Sequence, residues 1–211
     1  MNYDLPNDPL DILHRDDHVL IVNKPAGILS VPGKPLEHRD CLQSRLEAAF
    51  PETLLIHRLD HATSGIMVFA LTKLAQRHIN WQFEKRQVTK TYVARVEGQL
   101  EGDSGEVDLP LTADWPNRPR QKVCHETGKQ SKTIWNVLDR EASATRVELH
   151  PQTGRSHQLR VHMKAIGHPI LGDNFYGEEA LADRLQLHAT SLGFRHPDGG
   201  AHVQYRAKVP F

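Results

Sequence analysis

Cysteine is almost absent: Cys41 and Cys124 are the only two in 211 residues. So few, so far apart, can build neither a disulfide framework nor a zinc knuckle, and they fit a reducing compartment. Charge of one sign is missing as well, with 26 basic against 26 acidic side chains and a pI near 7.3. That excludes a chain-wide attraction to nucleic acid or to an anionic surface, so any polyanionic partner must meet a local basic patch. Long apolar runs are lacking: Ile66 to Leu71 is typical of the longest, about six residues where roughly 20 are needed to span a bilayer. The start, MNYDLPNDPLDIL, has neither the positive nor the apolar block of a secretory signal. There is no G-x-G-x-x-G, no Walker loop and no paired-cysteine motif, hence no sign of a nucleotide cofactor or a metal centre. These absences predict a cytoplasmic protein with no membrane partner.

What is present is ordinary globular composition, 38% hydrophobic and 25% charged, in a chain long enough for one buried core. Residues 1–13 read as an extended leader. His18 to Asn23 is a β-rich run turned by Lys24-Pro25-Ala26-Gly27, and Ile28 to Pro32 reads as a second short strand. Asp40 is the expected N-cap of a helix reaching Phe50. A strand is expected over 66–71 and a helix from Lys73 to Lys85, with Leu74, His78, Trp81 and Phe83 inward and Gln76, Arg77, Gln82 and Glu84 outward. Thr89 to Val96 alternates as a strand does. Residues 98–105 read as a polar turn, and 112–132 as a long exposed excursion of the kind that is usually functional. Strands near 133–138 and 144–149, a helix from Ser156 to Ile166 stopped by Gly167, and β-rich runs at 187–194 and 203–209 complete the chain. Irregular alternation with adjacent strand pairs predicts a mixed α+β fold rather than a regular doubly wound one.

The most informative stretch is His57-Arg58-Leu59-Asp60-His61-Ala62-Thr63-Ser64-Gly65. It sets one carboxylate on a tight loop feeding an apolar strand, and loops on rigid strands are where catalytic groups tend to sit. Alone, such an Asp is more often a turn residue. Three other elements could converge with it: Tyr92 on its strand, Arg155 and Arg160 around a Gly-containing turn that opens a helix, and the basic 112–132 loop. A helix N-terminus with two arginines suits an anion. Arg118, Arg120, Lys122, Lys129 and Lys132 lie near Trp115 in the loop, a pairing suited to looped RNA through stacking and phosphate contacts.

Five segments, in order, resemble the RluA-type RNA pseudouridine synthases: Asn23-Lys24-Pro25-Ala26-Gly27, the HRLD stretch, Lys90-Thr91-Tyr92, Thr153-Gly154-Arg155-Ser156-His157-Gln158-Leu159-Arg160, and His168-Pro169-Ile170-Leu171-Gly172-Asp173. Asp114 to Pro119 and Lys122-Val123-Cys124 resemble the basic loop of the dual-specificity members. The resemblance implies a single catalytic domain over 1–211, without the S4-like RNA-binding domain that larger members carry in front. It implies a mainly antiparallel sheet with flanking helices and loops around a central active-site cleft. The implied reaction is isomerisation of uridine to pseudouridine in tRNA and ribosomal RNA stem-loops: position 32 of the anticodon stem-loop and position 746 of large-subunit ribosomal RNA. Implied roles are Asp60 as the catalytic group attacking the uridine or its ribose, Tyr92 packed on the flipped base, and Arg160 pairing with Asp60. Arg58 helps fill the gap the base leaves, and Arg118, Arg120, Lys122, Arg155 and His157 contact RNA. Neither cofactor, metal nor obligate protein partner is implied, and a monomer is expected.

Two other readings use the same residues. One is a catalytically silent RNA-binding or ribosome-assembly factor, against which Asp60, Tyr92 and Arg160 argue. The other is a metal-dependent phosphoesterase using some of the 14 histidines. His57 and His61 have ligand-like spacing, as do His14 and His18, but the HRLD stretch does not read as a helix that would align them.

Overall fold

The computed structural model describes residues 9–211, so the expected leader lies outside the described residues as far as position 8. Contacts divide the chain into two compact units, one running to Lys90 and resuming at Ala189–Pro210, the other Thr91–His188 with Phe211. In chain order the elements are β1 (Ile12–Arg15), β2 (Val19–Lys24), α1 (Leu42–Ala49), β3 (Leu54–Leu55), β4 (Ser64–Ala70), α2 (Lys73–Glu84) and β5 (Thr89–Glu97). There follow β6 (Ser104–Asp108), β7 (Leu111–Ala113), β8 (Gln121–Val123), β9 (Lys132–Arg140), β10 (Ala144–Pro151), α3 (Gln158–Ala165), β11 (Leu187–Arg195) and β12 (His202–Arg206). The fold is α+β, with a mainly antiparallel sheet.

In the first unit the strands run β1-β2-β4-β11, with β12 beside β11 and β3 beside β4. β4, SGIMVFA, is buried at every position, which is why its sequence is continuously apolar rather than alternating. Its register with β2 runs from Val19 opposite Ala70 to Lys24 opposite Gly65. That register sets the NKP turn against the end of the HRLD stretch. Ile21, Ile66, Val68, Ile79, Leu192 and Phe194 form the core beneath.

In the second unit the order is β5-β10-β9-β6, with Tyr92 opposite Leu149. The 112–132 segment is more regular than expected: β7 and β8 pair as a hairpin, with Leu111 opposite Val123. Leu111, Val161 and Tyr176 pack together, joined by Val123 and Phe175, so the hairpin is anchored to α3.

Several local expectations are corrected. Ile28 to Pro32 is irregular rather than a strand. Cys41, not Asp40, caps α1: its thiol accepts from the Ser44 amide while the Ser44 hydroxyl accepts from the Cys41 amide. Asp40 instead binds Arg45 through two hydrogen bonds of 2.7 and 3.0 Å. Residues 98–105 contain the start of β6. On α2 the inward face is Ala75, Ile79 and Gln82, while Leu74 and Trp81 are 71% and 48% exposed. Gln82 wins the buried position because its amide does a strand's work: Nε2 donates to the Arg195 carbonyl at 2.8 Å, and Oε1 accepts from the Arg195 amide at 2.7 Å.

The first unit's ends are joined at Asp16. Oδ1 accepts from the amides of His18 and Val19, both at 2.8 Å, and Oδ2 bonds to His14 at 2.9 Å and His196 at 3.0 Å. Burial pushes this carboxyl's pKa up, but the His14 bond, the two amides and the His196 charge outweigh it and leave it at about 2 against 3.8. A depressed folded-state pKa adds stability that is full above about pH 4 and fades as pH falls through about 2. Asp16→Asn should therefore cost on the order of 1 kcal/mol at pH 7, after allowance for solvent screening, and progressively less below pH 4. Urea unfolding at stepped pH measures this; an equal loss at every pH would contradict it.

Candidate active site

Asp60 is half-buried, between buried Leu59 and a turn closed by the Thr63 amide donating to the Asp60 carbonyl at 3.1 Å. The residues on either side of it are pinned. The Ser30 hydroxyl donates to the Leu59 carbonyl at 2.7 Å and accepts from the Leu59 amide at 3.1 Å. The His61 carbonyl accepts from the Gly27 amide at 3.0 Å and from Lys24 Nζ at 3.1 Å. Lys24 has no exposed surface; its ammonium also donates to the carbonyls of Ile28 at 2.7 Å and Pro25 at 2.9 Å. Three carbonyls thus accept from a fully buried cation, which makes its burial tolerable. The carboxylate's backbone cannot drift without breaking one of these bonds.

The rest of the motif has equally local causes. His57 Nε2 accepts from the Val68 amide at 3.1 Å, and the ring stacks on Phe83 at 4.9 Å. An accepting nitrogen requires the neutral ring; burial, then the Lys90 charge, pushes the His57 pKa down to about 3. Gly65 has φ +120°, and a Cβ there would lie 2.3 Å from the Ala189 carbonyl oxygen, so no side chain fits beside β11. Arg58 is exposed. The His57 ring and the His61 carbonyl serve the loop, and among the described residues no group of three or more His, Cys, Asp or Glu could hold a metal ion.

The second unit carries the other predicted residues. Tyr92 is half-buried on β5. Arg160, 2% exposed, is gripped by Asp173: Nε to Oδ2 at 2.8 Å and Nη2 to Oδ1 at 2.6 Å. Asp173 Oδ1 also accepts from the amides of Phe175 at 2.9 Å and Tyr176 at 3.2 Å. A two-point carboxylate grip fixes the plane of the guanidinium. The turn ahead of α3 is set by Gln158, whose Oε1 accepts from Thr153 at 2.7 Å and from the Arg155 amide at 3.0 Å. Its Nε2 donates to the Lys132 carbonyl and the Thr133 hydroxyl, both at 3.0 Å. His157 sits in the left-handed region at φ +53°, and its Nδ1 lies 2.7 Å from the Tyr176 hydroxyl, which also accepts from the Gln121 amide at 2.7 Å. Arg155 Nε donates to the Gln130 carbonyl at 3.2 Å. On the hairpin, Arg118 lies over the Trp115 ring at 4.4 Å and Arg120 near Phe175 at 5.8 Å, and Lys122 stands 3.6 Å from Asp114.

Sequence reading passed over Lys24, Ser30, Asp173 and Tyr176. Lys24 and Asp173 stand inside segments already singled out, NKPAG and HPILGD. The signal was their presence in a motif, because a lysine or aspartate is rarely buried without a partner.

A family model described as RNA pseudouridylate synthase matches residues 18–165. The chain belongs to this family. It is thus an RNA pseudouridine synthase, an isomerase, as four of the five segments inside the matched span implied. The chain is 52% identical over 215 residues to the dual-specificity RNA pseudouridine synthase RluA of Escherichia coli K12, covering 100% of this chain and 98% of that protein. It is likewise 52% identical over 204 residues to the Yersinia pestis protein of that name, 95% and 99% of the two chains. Among solved structures, human RNA pseudouridylate synthase domain containing 1 superposes with a TM-score of 0.81 at 31% identity, over 99% of this chain and 87% of that one. Its human namesake domain containing 4 gives 0.75 at 26%, over 95% and 88%.

Replacing Lys24 with Met keeps the length and removes the ammonium, leaving the Pro25 and Ile28 carbonyls without their donor. Lys24→Met should lower unfolding free energy by about 3 kcal/mol. In protein still folded it should slow isomerisation more than it weakens RNA binding. Denaturant midpoints with single-turnover rates measure both, and unchanged values would show that the cation is not what holds the loop.

Proposed function

We propose that this synthase converts uridine to pseudouridine in two RNA classes, a tRNA anticodon stem-loop and large-subunit ribosomal RNA. The observation that carries the proposal is the full-length 52% identity to relatives named as dual-specificity enzymes. The loop that holds Asp60 by hydrogen bonds on both flanks supports it. In the reaction the N1–C1′ bond breaks, a C5–C1′ bond forms, C5 loses its proton and N1 gains one. Electrons balance without oxidant or reductant, so a carboxylate and proton transfers suffice.

Asp60 attacks the uridine or its ribose, and Arg160 serves as its charge partner, keeping the carboxylate ionised and nucleophilic. The target base must leave its stack, which costs a few kcal/mol. Tyr92 stacks on the extruded base and takes part in proton transfer, while the exposed Arg58 fills the vacated position. Arg155 and His157 contact the backbone ahead of α3, and Arg118, Arg120 and Lys122 do so from the hairpin. This local set of cations gives a neutral protein its grip on RNA. Substrates of these two classes support a cytoplasmic location.

Asp60→Asn should lower tritium release from 5-tritiated uridine RNA by more than about a hundredfold while RNA affinity changes less than about threefold. Turnover surviving in Asp60→Asn would remove Asp60 from the chemistry. Deleting the gene should erase pseudouridine from both RNA classes, and complementation should restore it; loss from one class alone would reduce the proposal to a single substrate.

A further inference from the structure

Within the second unit, a cavity of about 300 Å³ lies between the β7–β8 hairpin, α3 and the Phe175-Tyr176 turn. Its lining is apolar and aromatic, from Val123, Val161, Ala165 and Tyr176, and its walls carry Arg120, Lys122 and Lys164. Ala165 is exposed at the rim and Val123 is half-buried. Val161 and Tyr176 are buried at 5% and 7%, whereas all three cations are exposed. The aromatic rings are flanked by positive charge: Arg120 lies 5.8 Å from the Phe175 ring and Lys164 5.9 Å from the Tyr176 ring. The cavity's one carboxylate, Asp114, is held by Asn117 Nδ2 at 2.9 Å with Lys122 at 3.6 Å.

We propose that this cavity is a subsite for a second, unpaired nucleotide of the substrate RNA, separate from the uridine that is isomerised. The proposal rests on the RNA-substrate reading above and adds to it. An apolar lining of Tyr176 and the two valines suits a base, and the exposed cations suit its phosphates. Asp114 would repel a phosphate but can accept from a base N–H, which favours the base rather than the phosphate on its side of the cavity. The volume is at the small end for ligand pockets, about 300–1,000 Å³, enough for one nucleotide and too small for a base pair. The shape is fixed by contacts already present: the Tyr176 hydroxyl accepts from the Gln121 amide of β8, and Val161 of α3 packs on Leu111. Trp115 with Arg118, on the same hairpin, extends the cationic and aromatic surface along which a strand would continue.

The test uses the full chain and a stem-loop RNA substrate with abasic sites placed singly at each unpaired position. Ala165→Trp fills the cavity from an exposed helix position, and Lys164→Gln removes one wall charge without filling it. Losing one stacked base should raise KM about tenfold with kcat within about twofold. One abasic position, other than the target uridine, should raise KM of the unaltered protein similarly and raise it no further in Ala165→Trp. Lys164→Gln should raise KM about threefold and lower its salt dependence; it also decides the matter should Ala165→Trp fail to fold. Unchanged KM in both variants, or losses that multiply at every abasic position, would overturn the subsite. So would competition by free adenosine monophosphate without any coupled abasic position, which would assign the cavity to a free nucleotide. If the unaltered protein turned over no RNA at all, the substrate reading would fall, an outcome distinct from all of these.

Discussion

The candidate active site depends on one buried cation. Lys24 lies at the end of β2, where the register with β4 brings it opposite Gly65. Its ammonium gathers three backbone carbonyls that no secondary structure would otherwise hold together: one from the residue beside it, one four positions on and one from the loop that carries Asp60. An ammonium is a compact donor with three rotatable bonds, so it can satisfy carbonyls arriving from different directions. A planar guanidinium could not serve the same geometry. The backbone after the carboxylate is thereby held by Lys24, and the backbone before it by Ser30.

The second unit solves a related problem by a different route. Arg160 is oriented by a carboxylate, and the turn ahead of α3 is set by an amide side chain that makes four hydrogen bonds. In each unit, the groups assigned to chemistry are surrounded by polar side chains with buried, structural duties. That explains why so many titratable residues occur in the motifs of a protein with no net charge. Much of the local charge is committed to positioning.

How much was legible depended on what kind of signal a position carries. β2, β4, β5 and the helix span of α2 announce themselves by period and β-branched content, and the structure has them within a residue or two. The inward face of α2 was misread because Leu74 and Trp81 are large and apolar while Gln82 is not. Burial there was decided by a partner, the open backbone of Arg195, 113 positions away. The α1 cap was misread for a similar reason: Asp40 is a better N-cap by propensity, yet Arg45 engages it and leaves the role to Cys41. The β7–β8 hairpin has only three residues per strand, below the length at which alternation can be seen. At the site, the family was legible through its motifs, which single out Asp60, Arg160 and the basic loop as candidates. The duties of Lys24 and Asp173 were not, since they follow from tertiary contacts that no local pattern encodes.

The first unit is discontinuous in sequence, and this constrains the order in which the protein can be made. Its sheet needs β11 and β12, whose residues follow the whole of the second unit. Gly65 is shaped for Ala189, Gln82 for Arg195 and Asp16 for His196, so each of these early positions waits on a late one. During synthesis at about 5–20 residues per second, Thr91–His188 can form its contacts while β4 still has an open edge. Closing loops of this length costs entropy that is recovered only when the last strands dock. The loop carrying Asp60 lies next to that late-arriving strand, so it reaches its final setting only as translation ends, after Thr91–His188 can already have folded.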